Sequence, residues 1–353
     1  MPITRSRHKC SACYKQYKKK EHLVEHMKIS FHSYHQPRCW VCKKHCKSFE
    51  SLREHLKGPL PKGNCWRLFA DLGCDLCLRI FHSRTSLNKH KELCCLSHLG
   101  PIKMPNEESQ LGVSGSNFES NIDRVPDAIA MDCEMVSGGS DGTLDLCVRV
   151  CLIDEDENLL FNTYVQPQIP VTNYRYEVTG LTEEHLKDAM PLKDVQDKIW
   201  QILYNGELIE NAWLVGGKAR LLVGHSLEHD LNCLEMNYPS HLLRDTAKYP
   251  PLMKTNLVSH SLKYLTRTYL GYEIQSGIHD PYEDCVSAMR LYKRIRGLQH
   301  PKQESITLNI NDSLDSWDTE ELEEKTPDEL YKLSQPNYEC WCLDLVQEHA
   351  HNN

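Results

Sequence analysis

The chain contains 353 residues, of which 40% are hydrophobic and 25% are charged. Its length predicts about two or three domains, and no segment approaches the run of about 18 apolar residues that a membrane-spanning helix requires. This composition argues against a membrane-spanning or collagen-like protein. The chain has 41 Lys and Arg and 49 Asp and Glu, and the resulting net charge of −8 excludes no further class of protein.

The charge is unevenly distributed along the chain. Residues 1–100 carry 20 basic and 7 acidic side chains, a balance of +13, which leaves 21 basic and 42 acidic side chains, or −21, for the remainder. A basic head favours nucleic acid as a partner. Because the first residues lack the apolar segment of a secretory signal, we expect a reducing compartment and no membrane contact. Ten of the 17 cysteines precede residue 96, and such clustering of reduced thiols favours zinc.

Three segments of the basic head repeat one spacing of Cys and His residues. In the first, two residues separate Cys10 from Cys13, twelve separate Cys13 from His26, and five separate His26 from His32. A short Cys pair on a turn and two histidines on one face of a following helix form a tetrahedral zinc site. The predicted ligands are Cys10, Cys13, His26 and His32 in the first segment, Cys39, Cys42, His55 and Cys65 in the second, and Cys74, Cys77, His90 and Cys94 or Cys95 in the third.

These segments resemble C2H2-type zinc fingers, which implies three small ββα units with about three structural Zn²⁺ ions over residues 1–98. Cys46 takes a core position in the second segment, although it could compete for zinc. The links between the segments differ in length and chemistry, which disfavours sequence-specific DNA reading. Lysines at positions 18–20, 43, 44 and 47 offer phosphate contacts, so the fingers are predicted to recruit nucleic acid, with protein binding as the alternative.

Two polar segments follow the head and end the chain. Residues 99–125 are rich in Ser, Gly, Asn, Pro and Glu, which predicts a flexible linker. Residues 299–353 form an acidic tail for which we expect disorder with one short helix, and which offers a further surface for protein contacts. Cys340 and Cys342 form a C-x-C pair that alone is weak evidence for a metal site.

Residues 126–298 alternate between strand and helix patterns. Residues 127–136 (DAIAMDCEMV) predict a buried strand whose apolar run ends in Asp132 and Glu134, which share one face of the strand. Two adjacent carboxylates repel each other unless a cation lies between them, so the pair indicates a divalent metal. The period-two segments 146–153 and 158–167 predict the next two strands of a meander.

The second half of this region continues the pattern. An amphipathic helix is predicted at residues 192–203, and residues 221–231 predict a strand followed by a helix that carries Asp230. A further helix is predicted at residues 261–270, and a turn and a long helix carrying His279 and Asp284 at residues 277–296. Four acids and one histidine thus occur on a β-β-β-α-β-α-α frame.

Three segments of this region, AMDCEMV, LVGHSLEHDL and SLKYLTRTYLGYEIQSGIHDPYEDCVSAMRLY, resemble the exonuclease motifs of the DEDDh family, in the group of RNA exonuclease 4, the interferon-stimulated 20 kDa exonuclease and the apoptosis-enhancing nuclease. The resemblance covers about residues 126–296. It implies an α/β, ribonuclease H-like fold with a mixed β-sheet flanked by helices. It also implies removal of nucleoside 5′-monophosphates from a free 3′ end of RNA or DNA, and a nuclear or nucleolar location.

The resemblance assigns roles to five residues. Two Mg²⁺ or Mn²⁺ ions are expected, with Asp132 bridging both, Glu134 and Asp284 binding one, and Asp230 acting largely through coordinated water. His279 is the expected general base, because imidazole titrates near neutral pH.

The same resemblance implies contacts with the substrate. Met135 and Leu181 are expected beside the terminal base, and Arg175 at ribose or phosphate. Residues 204–220 form a longer connection than the group usually shows, either a lid or an external loop. The remaining cysteines of this region are predicted to be reduced core thiols, namely Cys133, Cys147, Cys151, Cys233 and Cys285.

Three function classes compete for this sequence. An active 3′-to-5′ exonuclease is favoured because all five catalytic residues are intact, with RNA preferred over DNA on the resemblance alone. A catalytically silent adaptor that binds nucleic acid or protein is the second class. A sequence-specific transcription factor is the third, but it leaves the middle of the chain unexplained.

Overall fold

The computed structural model of the protein describes residues 7–30, 32, 37–59, 63–94, 127–208, 217–298, 318–334 and 340–344. Contacts divide the chain into two units, which are described separately below. The first unit comprises Met1–Glu92, Pro250–Ser259 and Leu298–Leu343, and the second comprises Leu93–Tyr249, His260–Gly297 and Asp344–Asn353. Among the described helices, none has the length and apolar character to cross a membrane. The predicted linker at residues 99–125 lies outside the described residues.

The first unit contains three small Cys- and His-rich modules. In the first module, strands β1 (His8–Lys9) and β2 (Gln16–Tyr17) pair antiparallel and are followed by α1 (Lys20–Ser30). In the second and third modules, single bridges replace the hairpin, between Arg38 and His45 and between Gly73 and Ile80. The helices of these two modules are α2 (Phe49–Lys57), α3 (Gly63–Leu72) and α4 (Arg84–Cys94). The sequence did not predict α3, which carries Cys65.

The acidic tail contributes two helices to the first unit, where the sequence favoured disorder with one short helix. They are α10 (Thr319–Glu324) and α11 (Pro327–Leu333). Leu322 and Leu330 are fully buried and pack in one cluster with Leu23, Val24 and Met27 of α1. The acidic composition of the tail does not predict this packing, because the helix that Leu322 and Leu330 contact lies some 300 residues earlier in the chain.

A mixed six-stranded sheet organises the second unit. Its strands are β3 (Ala128–Gly138), β4 (Leu144–Ile153), β5 (Leu159–Tyr164), β6 (Val171–Asn173), β7 (Leu221–Gly224) and β8 (Leu243–Asp245). The order is β5-β4-β3-β7-β8, with β6 paired to β3. The pairs β3–β4 and β4–β5 are antiparallel, whereas β3–β7 and β7–β8 are parallel. The predicted meander is confirmed, and β6 and β8 are additions that the sequence did not reveal.

Helices flank this sheet, as the predicted fold class requires. They are α5 (Tyr176–Thr179), α6 (Leu192–Tyr204), α7 (Leu227–Cys233), α8 (Leu262–Leu265) and α9 (Pro281–Arg296). The longest, α9, packs against β3, β4 and β7, and it begins where Asp280 caps the helix and Pro281 takes its first position. The prediction that this helix carries His279 is wrong, because His279 precedes the cap. The α/β fold with a mixed sheet and flanking helices is confirmed.

Candidate active site and metal centres

The first two acids lie inside strand β3, rather than at its predicted end. Strand β7 pairs with β3 only as far as Ala130, and β6 pairs with it only from Ser137 onward. Between these points, no described strand covers that side of β3. Asp132 and Glu134 lie in this gap and alternate with Cys133, so they share one face of the strand.

Helix α7 brings the third acid to the same gap. Oδ1 of Asp230 accepts a hydrogen bond from the backbone N–H of Cys133 at 3.1 Å. The turn before α7 is fixed by Ser226, which has a left-handed backbone (φ 66°) and donates its N–H to Oδ1 of Asp245 at 2.8 Å. The strand–turn–helix pattern of residues 221–231 therefore positions Asp230 as the sequence predicts.

The fourth acid, Asp284, lies in the first turn of α9. Its Oδ2 accepts a hydrogen bond from Nε2 of Gln275 at 2.8 Å. Its Oδ1 is buried and has no hydrogen-bond partner among the described residues. A buried carboxylate oxygen without a donor is costly, and it fits a site that binds a cation. Sequence reasoning missed Gln275, which belongs to no spacing pattern.

Burial raises the pKa of all four carboxyl groups, and repulsion from other acids of the set adds to the shift for Asp132 and Glu134. Burial is the largest cause for each of them, and it raises the pKa of Glu134 to about 8 and that of Asp284 to about 7. The pKa of Asp132 is raised by burial and then by the charges of Asp284, Asp230 and Glu134, and burial also raises the pKa of Asp230. Clustered carboxylates of this kind are oxygen ligands suited to divalent cations.

His279 lies on the loop that leads into α9. Its backbone N–H donates to the carbonyl oxygen of Val178 at 2.7 Å. This approach needs a glycine at position 180, where φ is +65° and a Cβ atom would lie 2.8 Å from Cγ2 of Ile278. Burial and then the charge of Lys263 lower the pKa of His279, which favours the neutral imidazole that a general base requires.

The three predicted substrate contacts have different surroundings. Met135 is partly exposed, whereas Leu181 is only 3% exposed and packs with Val136 and Val148. Arg175 is half-buried, and its Nη2 lies 2.6 Å from Oδ1 of Asp145. A base contact by Leu181 would require it to leave its cluster. Of the predicted lid or loop at 204–220, residues 209–216 lie outside the described residues.

Each Cys- and His-rich module gathers four side chains that could hold a metal ion. Within each group, the ligand atoms all lie within 4.8 Å of one another. Thiolate and imidazole groups in sets of four match the donors of structural zinc sites. The groups are Cys10, Cys13, His26 and His32, then Cys39, Cys42, His55 and Cys65, and then Cys74, Cys77, His90 and Cys94. Cys95, the alternative fourth ligand in the third group, lies outside the described residues.

Comparison with known proteins adds a family match. Residues 129–292 match the family model described as exonuclease, RNase_T. The chain is 32% identical over 206 residues to RNA exonuclease 4 of Homo sapiens, and the matched segment covers 56% of this chain and 45% of that protein. It is 36% identical over 192 residues to RNA exonuclease 4 of Saccharomyces cerevisiae, which covers 53% of this chain and 62% of that protein. The chain therefore spans about half the length of these relatives.

Two solved structures match about half of the chain at lower sequence identity. The Saccharomyces cerevisiae Pan2 pseudoubiquitin hydrolase–RNA exonuclease module in complex with A7 RNA is 24% identical with a TM-score of 0.41, over 49% of this chain and 29% of that chain. The Neurospora crassa Pan2 catalytic unit is 21% identical with a TM-score of 0.39, over 50% of this chain and 28% of that chain.

Proposed function

We propose that the exonuclease domain that occupies residues 129–292 is an active enzyme that removes nucleoside 5′-monophosphates from the 3′ end of RNA. A group of four carboxyl groups carries this proposal: three are buried and Asp132 is partly exposed, and desolvation raises the pKa of each. A fold that withdraws four acids of one site from water is stabilised when cations bind there. The four acids are Asp132, Glu134, Asp230 and Asp284.

These carboxylates fit two Mg²⁺ or Mn²⁺ ions. When bound, such ions offset the negative charge of a phosphodiester transition state and favour ionisation of the attacking water. The chain itself contributes position and proton transfer. Gln275 orients Asp284 through its hydrogen bond at 2.8 Å, and His279, whose lowered pKa keeps it neutral, accepts the proton of the water nucleophile. Arg175 lies between β6 and α5 and is a candidate to contact ribose or phosphate.

The raised carboxyl pKa values predict an unusual pH dependence for the metal-free protein. The folded state keeps protons on Glu134 (pKa about 8) and Asp284 (pKa about 7) at pH values where the unfolded chain has lost them. Unfolding therefore releases protons, and the free energy of unfolding falls as pH rises from about 5 to about 7, by about 1.4 kcal/mol per pH unit for each retained proton. Urea unfolding across this range measures the slope, which excess Mg²⁺ should remove. A flat or rising profile without Mg²⁺ would contradict the assignment.

The Cys- and His-rich modules are proposed to bind one Zn²⁺ each and to recruit the nucleic acid. The basic charge of residues 1–100, +13 from 20 basic and 7 acidic side chains, supports phosphate binding. Because the acids of the nuclease repel phosphate before cations bind, recruitment by a tethered basic module would raise the local concentration of substrate.

Cys65→Ser is expected to lower the zinc content of the full chain by one equivalent. Cys65 lies on α3 and completes the second group of ligands. Cys46→Ser is the matched control, because Cys46 is buried in the same module core but lies outside that group. Metal analysis of both purified proteins measures the difference. Loss of one zinc from the Cys46 variant with none from the Cys65 variant would make Cys46 the ligand.

RNA is the proposed substrate because the relatives at 32% and 36% identity are both described as RNA exonucleases. A 3′-to-5′ DNA exonuclease is the alternative, since the four acids would hold metal ions that act on the phosphate and would not contact a 2′-hydroxyl. A silent adaptor is the second alternative, and the intact set of acids disfavours it.

A time course with 5′-labelled single-stranded RNA and DNA of one sequence tests the function. Shortening of RNA from the 3′ end with Mg²⁺, and none with chelator, is the expected result. A strand blocked by a 3′-phosphate serves as control for direction. Faster shortening of DNA would select the DNA exonuclease, and binding without shortening of either strand would select the adaptor.

A further inference from the structure

Three thiols converge within the exonuclease domain, apart from the Cys- and His-rich modules. They belong to Cys133, Cys147 and Cys233, and their Sγ atoms all lie within 4.8 Å of one another. The sequence predicted reduced core thiols at these positions, because no two of them are close along the chain. The fold brings them together.

Three elements build this cluster, which we call the thiol triad. Cys133 projects from the face of β3 opposite to Asp132 and Glu134, because side chains alternate along a strand. Cys147 on β4 is the register partner of Met135, just after a bulge in β3. Cys233 is the last residue of α7, a helix that packs on both strands. The triad thus joins β3, β4 and α7.

The triad has the donor type and size of a thiolate metal site. Zinc–sulfur bonds of about 2.3 Å place the sulfur atoms of one site about 4 Å apart, which the 4.8 Å limit of the triad permits. The other two cysteines of this domain do not share the arrangement, since Cys285 instead donates from Sγ to the carbonyl oxygen of Cys151 at 3.3 Å. All three triad thiols are free of disulfides.

A cation could enter the triad from one side. Cys233 is partly exposed, whereas Cys133 is 9% and Cys147 4% exposed. Three thiolates with one solvent-facing member leave a fourth position for water or another donor, as zinc sites allow. In the reduced state without metal, Sγ of Cys233 donates to the carbonyl oxygen of Asp230 at 3.2 Å, and this weak hydrogen bond would be exchanged for a metal bond.

We propose that Cys133, Cys147 and Cys233 form a further metal site, which binds a thiophilic cation of the Zn²⁺ class. Binding would release the three thiol protons to solvent and form three sulfur–metal bonds. It would also tie α7 to β3 and β4 beside Asp230, because Cys233 and Asp230 lie three residues apart and share one face of α7. The proposal of this metal site does not rest on the proposed nuclease activity.

Cadmium titration of the full chain tests the proposal, because Cd²⁺–thiolate absorbance reports sulfur ligands and ignores the carboxylate site, which excess Mg²⁺ keeps filled. Wild type is expected to bind one more thiolate-ligated Cd²⁺ than Cys233→Ala or Cys147→Ser. Cys285→Ala is the matched control, a buried thiol of the same domain outside the triad, and it should bind as wild type does. Equal capacity in wild type and both triad variants would overturn the proposal.

A second measurement on the wild type avoids any folding defect in a variant. Alkylation of Cys233, followed by peptide mass analysis, should slow by about tenfold when free Zn²⁺ stands at about ten times its dissociation constant. Unchanged alkylation with Zn²⁺ present, or a disulfide within the triad in place of bound metal, would overturn the proposal.

Discussion

Asp132→Asn is expected to reduce the exonuclease rate by about 10²- to 10³-fold or more, the scale of losing one preorganised charge at a reacting centre. Asp132 is the acid on which the others act together, since the charges of Asp284, Asp230 and Glu134 all contribute to its raised pKa. The substitution removes one charge and keeps the shape of the side chain. Single-turnover shortening of labelled RNA at saturating Mg²⁺ measures the loss.

The stability of the same variant separates catalysis from folding. Because the charges of the neighbouring acids raise the pKa of Asp132, neutral Asn relieves repulsion, and the metal-free variant should melt at a temperature equal to or above that of wild type. Asp188→Asn is the matched control, because Asp188 is an exposed acid of the same domain, and it should keep both activity and melting temperature. Full activity in the Asp132 variant would remove Asp132 from the site, and a lower melting temperature would make its role structural.

The acids of the candidate site could be anticipated from the sequence because local rules govern their placement. Asp132 and Glu134 share a strand face by alternation, and Asp230 follows a strand–turn–helix pattern. The gap in strand pairing beside them could not be anticipated, since it depends on where β7 leaves β3 at Ala130 and where β6 joins at Ser137. These pairings join residues far apart in the sequence. In addition, β6 and β8 have only three residues each, too few to show an alternating hydrophobic pattern.

Contacts that no local sequence pattern marks set a second limit on what the sequence predicts. Gln275 contacts Asp284, but nothing in the local pattern marks it. Leu322 and Leu330 of the acidic tail pack on α1, although composition favoured disorder there. The thiol triad joins residues 133, 147 and 233, which no ligand spacing connects. In each case the residue type shows what kind of contact the side chain can make, but only the fold shows which residue it contacts.

His279→Ala is expected to lower the rate constant by about 10²- to 10⁴-fold, the usual contribution of a general base. Burial and Lys263 lower the pKa of His279, so the neutral base forms as pH rises through a value below about 6.5. The wild-type rate at saturating Mg²⁺ should therefore rise with pH and level off below neutral pH. The alanine variant should lose this acidic limb and keep metal binding, which a merely structural role would not produce.

Lys263→Gln refines this assignment, because it changes the proton affinity of His279 without altering the imidazole. Lys263 is exposed and donates from Nζ to the carbonyl oxygen of Gln275 at 2.8 Å. Removing its charge removes one cause of the lowered pKa, so the acidic limb of the rate profile should move to higher pH, by a fraction of one unit at an exposed site. The plateau rate should stay close to that of wild type. The opposite result is an acidic limb that does not move in Lys263→Gln and is still present in His279→Ala. It would assign the titration to another group, and His279 would not be the general base.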